Sequence, residues 1–153
     1  MPSKYSSTIV VDKSVISIFE VSEAGLQRTF KVSSNNDELG NVTLDSWRVP
    51  SLSLAISAIY LWGGTRAFRL RADRTPELFT FDEEISALYP SSDNLILVCE
   101  LSIRLLANDF RELDRYKSDE VLNAGWWAGD ILHVSSESKQ IDLRIESGQL
   151  KLM

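Results

Sequence analysis

With one cysteine and one histidine in 153 residues, the chain has little material for metal or thiol chemistry. Cys99 and His133 alone cannot make up a His/Cys zinc set. A lone cysteine also forms no intramolecular disulfide, so nothing demands an oxidising compartment. Long apolar runs are missing too. The most apolar stretch, residues 52–62, falls far short of the ~20 residues of a membrane span, and Ser53 and Ser57 interrupt it. The opening MPSKYSSTIVVDK lacks the continuous apolar segment of a signal peptide. A soluble, cytoplasmic protein without membrane contact is therefore expected. There is no G-x-S-x-G elbow, phosphate loop or dinucleotide fingerprint. Gly63-Gly64-Thr65 lacks the lysine that a phosphate cradle needs, and no cofactor is expected.

What is present is ordinary globular material, 44% hydrophobic and 25% charged, in a length that suits a single domain over 1–153. A chain of this size buries about 68–70% of its unfolded surface. The net charge of −6 is unevenly placed. Residues 73–120 hold 12 acids against 5 bases, whereas residues 1–72 hold 6 against 8. An acidic surface repels phosphate backbones and favours basic protein partners, chiefly through encounter rate.

Along the chain the dominant period is two. Residues 9–11 and 15–21 are β-branched runs joined at Asp12-Lys13-Ser14, which reads as a hairpin. Ala24-Gly25 turns the chain into an alternating strand with Leu26, Arg28, Phe30 and Val32 on one side. Residues 33–40 (SSNNDELG) read as a loop. Val42, Leu44 and Trp47 suggest a short strand ended by Pro50. Residues 51–62 alternate as one strand, apolar on both faces in its second half. After Gly63-Gly64, Phe68, Leu70 and Ala72 face inward and Arg69 and Arg71 outward. Residues 75–89 admit a helix begun by Thr75-Pro76, but two short strands fit better, because Leu78 and Phe81 repeat the spacing of Leu113 and Tyr116.

The stretch 84–134 shows why: it is one structural phrase followed by the start of its repetition. Ile85, Leu95 and Val98 match Val121, Ile131 and Val134 at 36 residues. Ile103 and Leu105 match Ile141 and Leu143 at 38, which places two extra residues in the second hairpin. Ile59 and Leu61 match Ile96 and Val98 at 37, and Phe68 and Leu70 match Ile103 and Leu105 at 35. The expectation is an all-β antiparallel meander of repeated units of about 36 residues, propeller-like or in stacked sheets. The DNLILV segment, followed by LSIRLL and a short strand, resembles the four-stranded blade of WD-type β-propellers over residues 55–145, although the Gly-His and Trp-Asp signatures are absent. The resemblance implies about four blades in this length.

Functional candidates are few. The acids at Asp82-Glu83-Glu84 and Asp119-Glu120 fall at equivalent repeat positions, as expected of repeated structural acids in solvated turns. The competing reading is carboxylate chemistry in a small carbohydrate- or nucleotide-processing enzyme. Arg66, Arg69, Arg71 and Arg74 make one basic patch. Salt bridging within the protein suits it better than a nucleic-acid contact. His133 reads as a satisfied sheet histidine. Trp126 and Trp127 cannot both face inward on a strand, so one is expected in the core and the other at an edge or a partner. Together these observations favour a non-catalytic module that binds a protein, with an immunity-type protein that masks a basic toxin as the most specific form of that expectation. Its contacts would be Trp126, Trp127, Asp109, Glu112, Asp114, Asp119 and Glu120.

Overall fold

In a computed structural model, described over residues 4–91 and 93–153, every regular element is a β-strand. Sixteen strands form four antiparallel four-stranded meanders. Sheet I contains β1 (Ser6–Val11), β2 (Ser14–Ala24), β3 (Gln27–Ser34) and β4 (Asp37–Leu44). Sheet II contains β5 (Ser51–Leu54), β6 (Ile59–Gly63), β7 (Arg66–Leu70) and β8 (Glu77–Thr80). Sheet III contains β9 (Ile85–Pro90), β10 (Asn94–Cys99), β11 (Ser102–Ala107) and β12 (Glu112–Lys117). Sheet IV contains β13 (Trp126–Ala128), β14 (Ile131–Ser135), β15 (Gln140–Glu146) and β16 (Gln149–Leu152). The all-β repeated meander is thus as expected, and residues 75–89 hold two strands and no helix.

The chain divides into two compact units, Met1–Asp82 and Glu83–Met153. Each contains two sheets stacked on a core of its own. In the first unit Ile16, Ile18, Phe30 and Val32 of sheet I pack with Ile59, Leu61, Phe68 and Leu70 of sheet II. In the second, Ile96, Val98, Ile103 and Leu105 of sheet III pack with Leu132, Val134, Ile141 and Leu143 of sheet IV.

Three segments depart from the pattern in the sequence. Residues 33–40 are not a loop: β3 and β4 run through them, and the turn is only Asn35-Asn36, both at positive φ (49° and 70°). Asparagine tolerates that conformation, so two residues suffice to reverse the chain. Residues 51–62 are not one strand. The chain reverses over residues 55–58, with Ala55 N–H donating to the Ala58 carbonyl at 3.0 Å, and Ile56, which appeared to continue the alternation, is 91% exposed at the turn. Trp47 lies beyond β4 and is exposed.

The repeat is more regular than the apolar matches suggest. The second hairpin turns at Glu100-Leu101 in sheet III, after Val98 pairs with Ile103. It turns at Glu137-Ser138 in sheet IV, after Ser135 pairs with Gln140. Both strands therefore repeat at 37 residues, with no extra residues in the hairpin, and Leu95 and Leu97 correspond to Leu132 and Val134. A shift of one residue moves every side chain to the opposite face. The matched position Val121 also falls outside any strand and is exposed, whereas its neighbour Leu122 is buried.

With the turns aligned, stacking has one sense in both units. Let the front of a sheet be the face of Ile96, Val98, Ile103 and Leu105, and the back that of Leu95, Leu97 and Leu106. Sheet III then meets the back of sheet IV with its front. Sheet II turns at Gly64-Thr65 and sheet I at Gly25-Leu26, and by the same alignment the front of sheet I meets the back of sheet II.

Candidate functional site

Charged residues inside a sheet need partners, and three arginines near the hairpins find them. Arg28 and Glu20 are both buried and joined twice, Nε to Oε2 at 2.7 Å and Nη2 to Oε1 at 2.8 Å. Arg28 therefore shares a face with Phe30 and Val32 with its charge neutralised there. Arg69, expected to point outward, is instead buried: it is joined to Glu77 by two 3.0 Å bonds and lies over Phe79. Arg104 is buried against Glu83 at 2.5 Å. The Arg69 hydrogen bonds hold the Glu77 carboxyl below the ordinary range. The other members of the basic patch also have partners within the protein: Arg71 lies 3.8 Å from Glu77, Arg74 3.8 Å from Asp73, and Arg66 donates to the Thr43 carbonyl. An open cleft of about 420 Å³ beside it presents both signs, through Asp12 and Asp73 as well as Arg71 and Arg74.

The repeated acids are hairpin clamps. Glu83 accepts from Leu101 N–H (2.7 Å), from the Ser102 hydroxyl (2.7 Å) and from Arg104. Glu120 accepts from the Ser136 and Ser138 hydroxyls at 2.9 and 2.6 Å. Asp45, which the sequence reading passed over, does the same in the first unit, accepting from Thr65 N–H (2.9 Å) and the Thr65 hydroxyl (2.5 Å). The three stand 38 and 37 residues apart, each ahead of its sheet and bonded to that sheet's second hairpin. Burial alone would raise the Glu83 carboxyl, but the bonds from Ser102, Arg104 and Leu101 outweigh it and leave it lowered.

The remaining acids chosen from sequence do not form one cluster. Glu112 pairs with Arg115 at 2.8 Å, and Asp119 with Lys139 at 3.1 Å. Asp109 accepts from Arg111 N–H at 3.1 Å. Asp114 accepts from Leu150 N–H at 2.8 Å, tying β12 to β16. Among the described residues no three His, Cys, Asp or Glu side chains gather as a metal site.

Both tryptophans are exposed, Trp126 by 50% and Trp127 by 37%, so neither is a core residue. β13 is an edge strand that pairs only on the side of β14, so alternation points the two rings to opposite faces. Trp127 meets Tyr89 edge-on at 6.4 Å on the back of sheet IV. Trp126 lies on the front and stacks on His133, with centroids 5.3 Å apart and planes at 27°. His133 Nδ1 lies 2.6 Å from Asp142 Oδ1, and Gln140 donates to the same oxygen at 2.8 Å. A carboxylate only accepts, so the proton of this bond sits on Nδ1 and Nε2 is left as the ring's other polar atom. The bonds from Gln140 and then His133 hold the Asp142 carboxyl below its ordinary value. His133 is thus a satisfied sheet histidine, as expected. The grouping of Trp126, His133, Gln140 and Asp142 was missed from sequence. Cross-strand pairing makes it, with Trp126 opposite His133 and His133 opposite Asp142.

No protein-family model matches the chain, and no curated protein matches it in sequence. Solved structures do match in fold. BamB from Moraxella catarrhalis is similar over 89% of this chain and 41% of its own, with a TM-score of 0.56 and 9% identity. A HIRA fragment is similar over 99% of this chain and 54% of its own (TM-score 0.53, 11% identity). Kluyveromyces lactis Hsv2p is similar over 100% of this chain and 73% of its own (TM-score 0.50, 9% identity). These are β-propeller proteins, so the blade resemblance holds at the level of fold. The chain spans about half the length of the first two.

Proposed function

We propose that this chain is a non-catalytic protein-binding module whose contact surface is the front of sheet IV. The observation that carries the reading is Trp126: a large ring, half exposed, held at a fixed angle on His133, which is itself fixed by Asp142. Aromatic side chains already ordered before binding give contact area at low entropic cost, and tryptophan is enriched among residues that dominate interfaces. Charge supports the same unit. The first unit carries 9 acids and 9 bases, and the second 13 and 7, so the whole net charge of −6 resides in the second. That favours encounter with basic partners or basic surfaces. Masking of a basic toxin would use the same face and the same charge.

The rival reading, an acid–base enzyme, needs carboxylates available to a substrate. Glu83, Glu112, Asp114, Asp119 and Glu120 are instead bonded to hairpins, arginines, a lysine and a strand. The test is kinetic, with a purified partner. Trp126→Ala should speed dissociation at least about tenfold, as loss of a central aromatic anchor does, with the thermal transition retained. Unchanged dissociation would place the contact elsewhere.

A further inference from the structure

Resting on that reading, we propose that the partner fitted by the front of sheet IV is a second copy of this chain, received on the back of its sheet I. The argument starts from the sense of stacking. In each unit the front of the earlier sheet covers the back of the later one. Of the four faces outside these contacts, the front of sheet II (Tyr60, Ala67) and the back of sheet III (Leu95, Leu97, Leu106) are buried, so the back of sheet I and the front of sheet IV are the two that stay exposed. They are therefore the two kinds of face that this repeat packs together.

The back of sheet I has the composition of a face meant to be covered. Val10 stands opposite Val15, and Phe19 opposite Lys31. Val10 is 69% exposed, and Val15 and Phe19 are exposed as well, whereas Ile16 and Ile18 on the front are fully buried. Thr29 and Thr43 complete the face, their hydroxyls joined at 2.9 Å. Exposed apolar side chains grouped on one sheet face mark an interaction surface. The front of sheet IV offers Trp126 on its edge strand, Ile131 and His133 on the strand beside it, and Gln140, Asp142 and Arg144 on the next.

Charge selects the arrangement. Joining two sheet IV fronts would bring two units of net charge −6 together, whereas front to back sets an acidic unit against a neutral one. The contact is thus between unlike faces, and it either closes on itself or propagates.

The test uses the 153-residue chain and two variants, one per face: Val15→Asp on sheet I and Trp126→Asp on sheet IV. Circular dichroism and thermal melting establish that each is folded; Val10→Lys, at a more exposed position, replaces Val15→Asp if that variant does not fold. Mass is then measured by light scattering over a concentration series. The unmodified chain should reach at least twice the monomer mass, and each variant alone should lose that association by tenfold or more in concentration. Mixing the two should restore it, because the first keeps an intact sheet IV and the second an intact sheet I. A chain that stays monomeric overturns the proposal, as does association that neither variant weakens or a mixture that fails to recover. A monomer that still binds a purified partner through Trp126 would overturn this inference and leave the binding-module reading standing. A monomer whose partner ignores Trp126→Ala would overturn both.

Discussion

Tyr89, on sheet III, and Gly125, just ahead of sheet IV, hold each other by two hydrogen bonds. The phenol oxygen accepts from Gly125 N–H at 2.9 Å and donates to the Gly125 carbonyl at 2.6 Å. One hydroxyl thus satisfies both backbone groups of the residue that leads into β13, on whose strand Trp126 is carried. Burial outweighs the carbonyl's bond and raises the Tyr89 phenol above its ordinary value, so the group remains a donor throughout the working pH range.

Tyr89→Phe removes both bonds and leaves two backbone groups without them. A loss of about 1–3 kcal/mol is expected, the usual cost of polar groups left without partners. Urea unfolding checks it: the midpoint should fall with little change in slope. A midpoint within error of the parent would show that water replaces the phenol without cost.

Gly125→Ala should be worse. A Cβ at that position would run into the carbonyl oxygen of His133 and reach 3.0 Å from Val134 Cγ2. The obstacle is backbone, so β13 must move away from β14. Thermal melting should show a lower transition, and Trp126 fluorescence should shift as the ring leaves His133. The same substitution at Gly129, where an added Cβ meets nothing within 4 Å but φ is +65°, costs only conformational strain.

The Glu20–Arg28 pair predicts unequal single and double variants. Removing one partner leaves the other charge buried, which costs about 3–5 kcal/mol. Replacing both by methionine should cost less than either Glu20→Met or Arg28→Met alone. A double-mutant cycle reads this directly, and additive losses would show that the pair is not a coupled unit.

Acid should destabilise the fold through its paired carboxylates. Glu20 is lowered by its bonds from Arg28, Glu77 by those from Arg69, and Glu83 is lowered in spite of its burial. A carboxyl lowered in the folded state contributes stability that is fully present above the unfolded value, about 4.3 for glutamate. That stability is lost as pH falls through the folded value. Stability should therefore be flat in this contribution near neutrality and decline below about pH 4. In Glu83→Gln the decline should be shallower, with a starting loss of about 1–3 kcal/mol from its hydrogen bonds. Glu84→Gln, on an exposed neighbour, should stay within about ±0.5 kcal/mol. Equal effects at the two positions would overturn the clamp assignment.

Much of the fold was legible in the sequence because the strands alternate and turns of Gly, Asn and Asp bound them. The face assignment was not. Leu95, Ile96, Leu97 and Val98 are apolar without interruption and all buried, so nothing in them marks front from back. Matching apolar letters therefore slid sheet IV by one residue. Only the turns, whose spacing is fixed by pairing, give the true register of 37. Ile56 misled in the opposite way, by continuing an alternation through a reversal. The arginine pairs and the Trp126–His133–Asp142 grouping depend on which strands become neighbours. No spacing along the chain announces them.

The clamps at Asp45, Glu83 and Glu120 have a consequence for the order in which the chain takes shape. Their partners lie only about 18 to 20 residues downstream, at Thr65, Leu101 and Ser138. The entropy lost on closing so short a loop is small, and local contacts form early. As the polypeptide leaves the ribosome, each acid emerges ahead of its hairpin and can engage it before the following repeat is made. Sheets II, III and IV would then mature one after another, each ended by its own carboxylate. Pulse-labelled hydrogen exchange during refolding should protect Thr65 and Leu101 amides with their own hairpins, ahead of the bonds from Gly125 to Tyr89 and from Leu150 to Asp114 that join sheet III to sheet IV.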